Sequence, residues 1–186
     1  MDVLAHGLWA AAAAQGLRRS GRAVRVSAAV AWGVLPDLVA FALLITFLLV
    51  GLVHGELAWS DLAAPESLAG PSWNRHPVLQ LTSLLYSLSH SALVFLAAFA
   101  AAWLGRGQAP WAMAAWGLHI LLDVPTHARS FYPTPFLWPL SDWTVDGFAW
   151  TSSWVWVLNY GALALVWSRL LRERKPTPKR GASDRE

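Results

Sequence analysis

Five titratable side chains lie inside apolar stretches of this chain: His6, Asp37, His90, His119 and Asp123. Ionisable groups in such stretches are costly to bury, so they are treated as a functional site until a structural role accounts for them. His119 and Asp123 are four residues apart and share one helix face, and Asp2 and His6 have the same spacing. Imidazole nitrogen and carboxylate oxygen are the usual ligands of zinc, and they also suit manganese or iron. His127 follows Pro125 at the expected exit of the helix that bears His119, so it and Asp2 are additional candidates. Asp2 could instead orient the ring of His6. The chain has no cysteine, which excludes disulfides, thiolate-bound zinc and a thiol nucleophile. Ser87, Ser89 and Ser91 surround His90, but none sits in a Gly-x-Ser-x-Gly elbow. No phosphate-binding glycine loop and no nucleic-acid motif is present.

Each residue also has a purely structural reading. His90 can bond to its neighbouring serines, and Asp37 can cap a helix broken at Pro36. The case for a shared site is depth. Counted along helices from the nearest arginine, His6 and Asp37 lie ~18 Å in, His119 ~20 Å, His90 ~24 Å and Asp123 ~26 Å. Five groups from four segments therefore fall in one slab.

The elements that must position them are membrane helices. Of 186 residues 56% are hydrophobic and 13% charged, against about 25% charged in soluble domains. That balance disfavours a disordered chain or an ordinary soluble enzyme. Apolar runs over 27–53, 78–104, 111–124 and 150–171 predict about four spans, with 111–124 short for one. An alanine-rich helix over 3–17 is an amphipathic or partial span. Many of the 13 tryptophans flank these runs, as interface anchors do. The expected fold is all-α: a polytopic helical membrane bundle, one domain over 1–171, and a charged, disordered cytoplasmic tail over 172–186. Arg18, Arg19, Arg22, Arg25, Arg106 and the basic tail would be cytoplasmic. The loops 54–77 and 125–149 would face outward with Glu56, Asp61, Glu66, Asp142 and Asp146, and His54 and His76 would be solvated. Asp142 and Asp146 read first as surface acids and second as residues at the mouth of the site.

Four stretches carry a family resemblance: MDVLAHGLW, GVLPDLVAF, YSLSHSALVF, and HILLD followed by an LWPL loop. Together they cover most of residues 1–150. The chain resembles the YdjM-like inner-membrane proteins labelled membrane-bound metal-dependent hydrolases. The resemblance implies a helical membrane bundle in the bacterial plasma membrane. It also implies a metal-dependent hydrolase whose matching residues are His6, Asp37, His90, His119 and Asp123. Many members carry His-Arg-Gly before the Thr-His-Ser element, where this chain has Leu85-Tyr86-Ser87. A ligand for a second metal is therefore missing, and Asp2 or His127 are the residues that could compensate. His119-x-x-x-Asp123 followed by Pro125-x-His127 is also similar to helical zinc phospholipases C, with a shorter spacing to the last histidine.

The leading expectation is a hydrolase of a phosphoester in a lipid-linked or amphipathic substrate. A divalent metal, zinc first and manganese or iron next, would activate water. Asp37 or Asp123 would serve as general base. Arg129 and Tyr132 would position an anionic head group, and membrane lipid would be the surrounding partner. A homo-oligomer is compatible with this picture. The alternative is a metal or proton carrier, or a metal-binding membrane adaptor.

Overall fold

The computed structural model describes residues 1–60, 76–130 and 132–173. These residues form six α-helices and one 3₁₀ turn, with no strand among them. Asp61, Glu66, Arg75 and the tail from 174 lie outside the described residues.

α1 (Val3–Arg19) starts where the Asp2 carboxylate accepts the Ala5 N–H at 2.9 Å, and it ends before Gly21, whose φ is +82°. Its 17 residues cover about 26 Å, short of a hydrocarbon core of ~30 Å. α2 (Val26–Val53) has 28 residues and reaches about 42 Å, more than a hydrocarbon core needs. The two helices touch closely: a Cβ on Gly33 would stand 2.6 Å from Ala10 Cβ and 3.3 Å from the His6 carbonyl. Small residues permit this approach, which is how membrane helices gain contact area.

The expected span over 78–104 is broken. α3 (Pro77–Ser89) and α4 (Ala92–Arg106) meet at 57°. The Ser-His-Ser element causes the break. Ser91 Oγ caps α4 by accepting the Val94 N–H at 3.2 Å, and the Ala92 N–H leaves the helix ladder for the Phe136 carbonyl at 2.9 Å. His76 is not merely solvated. It caps α3 through Nδ1, 3.3 Å from the Val78 N–H, and packs on Phe47.

A 3₁₀ turn (Trp111–Met113) leads into α5 (Ala114–Thr126), whose 13 residues cover about 20 Å. The loop that follows folds back on the end of α5. Gly147 and Phe148 donate to the carbonyls of His127 and Pro125 at 3.0 and 2.9 Å. α6 (Ser153–Arg172) closes the bundle. Among the described residues two helices, α2 and α6, are long and apolar enough to span, or three if bent α3–α4 counts as one, and not about four. The shortness of α5 and the break at His90 account for the difference.

α2 runs through the middle, against α1, α3 and α5, while α6 packs on α1. The Arg19 guanidinium bonds to Glu173 and, at 2.7 Å, to the Leu170 carbonyl; Arg22 lies 3.8 Å over the Trp111 ring. The basic α1–α2 turn, the end of α6 and the start of α5 thus share one end of the bundle. Leu38, Ile45, Leu49 and Val50 of α2 face outward. Inside, the usual pattern is reversed: the largest fully buried side chains are His6, His90, His119, Thr82, Asp123 and Ser91.

Candidate metal centre

Four helices deliver polar side chains to one dry point. His6 comes from α1, Asp37 from α2, His90 from the α3–α4 break, and His119 and Asp123 from successive turns of α5. Exposure is 0% for His90 and Asp123 and no more than 6% for the other three, so the carboxylates are held away from bulk solvent.

One ligand atom from each of Asp37, His90, His119 and Asp123 lies within 4.8 Å of all the others. Asp123 Oδ2 is 3.1 Å from His119 Nε2 and 3.5 Å from His90 Nε2. Asp37 Oδ1 is 3.5 Å from His90 Nε2 and 3.7 Å from His119 Nε2. The ring orientations are set from behind. His119 Nδ1 donates to the Gly33 carbonyl at 2.8 Å. That acceptor lies one residue after Trp32, whose carbonyl Pro36 leaves without a ladder donor, because proline supplies no N–H. His90 Nδ1 is 3.2 Å from the Tyr86 carbonyl, which can only accept, and 2.9 Å from Ser89 Oγ.

These bonds fix the chemistry of the other face. With both protons on Nδ1, both Nε2 atoms are bare, yet they stand 3.0 Å apart. Lone pairs and carboxylate oxygens point at one another. Two of the converging atoms, His6 Nδ1 and Asp37 Oδ2, have no hydrogen-bond partner. A proton shared between the rings and the carboxylates, or a bound cation, resolves such a set. The edges are close to the roughly 3.3 Å expected between ligands of a tetrahedral zinc with Zn–N near 2.0 Å. The residues fit a divalent cation held by imidazole and carboxylate, whose identity the donor types alone leave open among zinc, manganese and iron.

Other expected residues divide. His6 belongs to the cluster: its Nε2 is 3.0 Å from Asp123 Oδ1, and its ring stacks on His119 at 3.7 Å. His127 joins from the exit of α5, with Nε2 3.5 Å from Asp123 Oδ1. Asp2 does not orient His6. Its Oδ1 accepts from Ala5 and, at 3.0 Å, from the Tyr160 hydroxyl. Arg129 is exposed, its N–H bonded to Asp146 Oδ1 at 2.9 Å and its guanidinium 3.4 Å from the Thr144 carbonyl. Tyr132 contributes its backbone, which accepts from the Tyr86 hydroxyl at 2.7 Å and from His127 Nδ1 at 2.9 Å. Burial pushes its phenol up, so the hydroxyl stays a neutral donor at neutral pH.

Three participants escaped the sequence reading. Tyr86 stacks on His90 at 3.9 Å, and its position one turn earlier on α3 was the available signal. Gly33 was signalled only by Pro36 three residues on. The Met1 amino group, which donates to Asp123 Oδ1 and lies 2.9 Å from His127 Nε2, had no signal. The chain matches no family model, no curated protein and no solved structure.

Proposed function

We propose that this protein is a membrane-embedded, metal-dependent hydrolase acting on a phosphoester of a lipid-linked or amphipathic substrate. The observation that carries the reading is the set of bare histidine nitrogens and carboxylate oxygens converging in a dry core, oriented from behind by backbone carbonyls. The YdjM-like resemblance, and with it a bacterial plasma membrane location, agrees with this reading. A bound divalent cation would supply a water of lowered pKa and charge stabilisation on the attacked centre. Asp37, His90, His119 and Asp123 would hold it.

The rest of the work falls to the chain. With Oδ1 toward the ion, Asp37 is the better general base through Oδ2, because it is slightly more open than Asp123. An apolar groove lined by Trp32, Leu35, Pro36, Val39, Leu85 and Leu88 runs beside the centre. Pro36 directly precedes Asp37, and Leu35 and Val39 are exposed on the lipid-facing side of α2. An acyl chain in that groove would bring its head group to the carboxylate. Arg129 and Tyr132, on the loop closing over His127, would steer the anionic end.

The test compares purified wild type with His119→Ala/Asp123→Asn on a long-chain phosphate ester and on its short, soluble counterpart. Wild type should hydrolyse the long-chain ester at least tenfold faster than the short one, and the double variant should lose at least a thousandfold. A double variant as active as wild type would overturn the proposal. Ion flux into proteoliposomes without hydrolysis would favour a carrier.

A further inference from the structure

The turn between α1 and α2 lies at the far end of α1 from His6. It carries four arginines within eight residues: Arg18, Arg19, Arg22 and Arg25. Its backbone is fixed. Gly21 and Arg22 donate to the carbonyls of Arg18 and Leu17 at 3.1 and 3.0 Å, which closes α1. Val24 is buried in an apolar cluster with Ala10, Ala14, Ala29 and Ala115, which ties the turn to the bundle. The Arg22 guanidinium is held over the Trp111 ring at 3.8 Å. Like charges gathered on a short, fixed turn repel one another, and an anion between them relieves the repulsion.

One of the four charges is answered within the fold. Arg19 pairs with Glu173. Arg18, Arg22 and Arg25 have no ion pair among the described residues, and the first turn of α2 carries no acid. These three arginines, with Gly21, Ala23 and Val24, line an open cavity of about 600 Å³, and no carboxylate lines it.

Depth selects the occupant. The apolar run of α2 begins at Val26, directly after Arg25, and Leu35, Leu38 and Ile45 further along are exposed. The cavity therefore sits where α2 leaves the hydrocarbon, at the level of lipid phosphates. Guanidinium matches phosphate oxygens with paired N–H donors. We infer that this cavity binds the head group of an anionic phospholipid, its phosphate held by Arg18, Arg22 and Arg25. Three unanswered positive charges favour a head group of net negative charge over a zwitterionic one, whose cationic end they repel. The site is separate from the buried His/Asp centre and needs no metal there.

The test is native mass spectrometry of the full chain in detergent, titrated with phosphatidylglycerol or with phosphatidylcholine of the same acyl chains. Wild type should hold one phosphatidylglycerol per chain and prefer it to phosphatidylcholine by roughly tenfold or more. Arg18→Gln/Arg25→Gln should weaken phosphatidylglycerol binding by roughly tenfold or more, the scale set by two arginines at a membrane surface. Arg169→Gln/Arg172→Gln removes the same charge at the same end of the bundle but outside the cavity, and should bind as wild type does. No preference between the two lipids, an unchanged Arg18→Gln/Arg25→Gln, or an equal loss in both variants would overturn the inference. Displacement of the lipid by equimolar inorganic phosphate would mark a site for a soluble anion and overturn the lipid assignment. All four substituted side chains are exposed, and if either variant fails to fold the wild-type preference between the lipids still decides.

Discussion

At the residue scale the centre depends on Asp123 more than on any other side chain. It is fully buried, faces four histidines and accepts from the Met1 amino group. Asp123→Asn keeps the shape and removes the charge. Metal affinity should fall by more than the roughly 10–100-fold typical of outer partners, read by competition with a chromophoric chelator. Asp2 offers the contrast. Asp2→Ala should cost about 1 kcal/mol through the lost helix cap, seen as a lower Tm, with metal content unchanged. The five side chains that meet in the core stood out in the sequence because an ionisable group in an apolar run needs an explanation. What was not legible is which oxygen faces which histidine. That depends on rotamers fixed by Gly33, Tyr86 and Tyr132, residue types too common to stand out.

At the element scale, the close approach of α1 and α2 holds two ligands together. A methyl at Gly33 would collide with Ala10 and crowd the His6 carbonyl. Gly33→Ala should destabilise by about 1–3 kcal/mol and reduce metal occupancy, because the Gly33 carbonyl orients His119. Adding Ala10→Gly should recover part of both losses in the same thermal and metal assays, and no recovery would place the strain elsewhere. The break between α3 and α4 rests on one cap: Ser91→Ala should cost about 1 kcal/mol on thermal unfolding. Helix identity was legible from apolar runs, and α2 and α6 fall where length predicts. The break was not, since the run from 78 to 104 stays apolar enough to span. Only the capping of α4 by Ser91 and the departure of the Ala92 N–H to the Phe136 carbonyl open it.

At the scale of the whole molecule, the basic α1–α2 turn, the end of α6 and the 3₁₀ turn before α5 gather at one end, through Arg19 with Glu173 and Arg22 over Trp111. A chain without cysteine allows a clean test of sidedness. Ser20→Cys and Asp142→Cys both lie at exposed positions. In intact cells a membrane-impermeant maleimide should label Asp142→Cys, and should reach Ser20→Cys only after permeabilisation. Labelling of both from outside would remove the proposed orientation.

The character of α1 also bears on how the protein is made. It is short, its buried face is mostly alanine, and it carries Asp2, His6 and Gln15. Such a segment has little reason to leave the insertion machinery for lipid by itself, whereas α2 partitions readily. α1 therefore enters as the passenger of α2, and His6 reaches its place only after α5 has been synthesised and docked. The centre does not exist on the ribosome. On the proposed reading it is completed only in the bilayer, and a metal would be loaded into a finished protein.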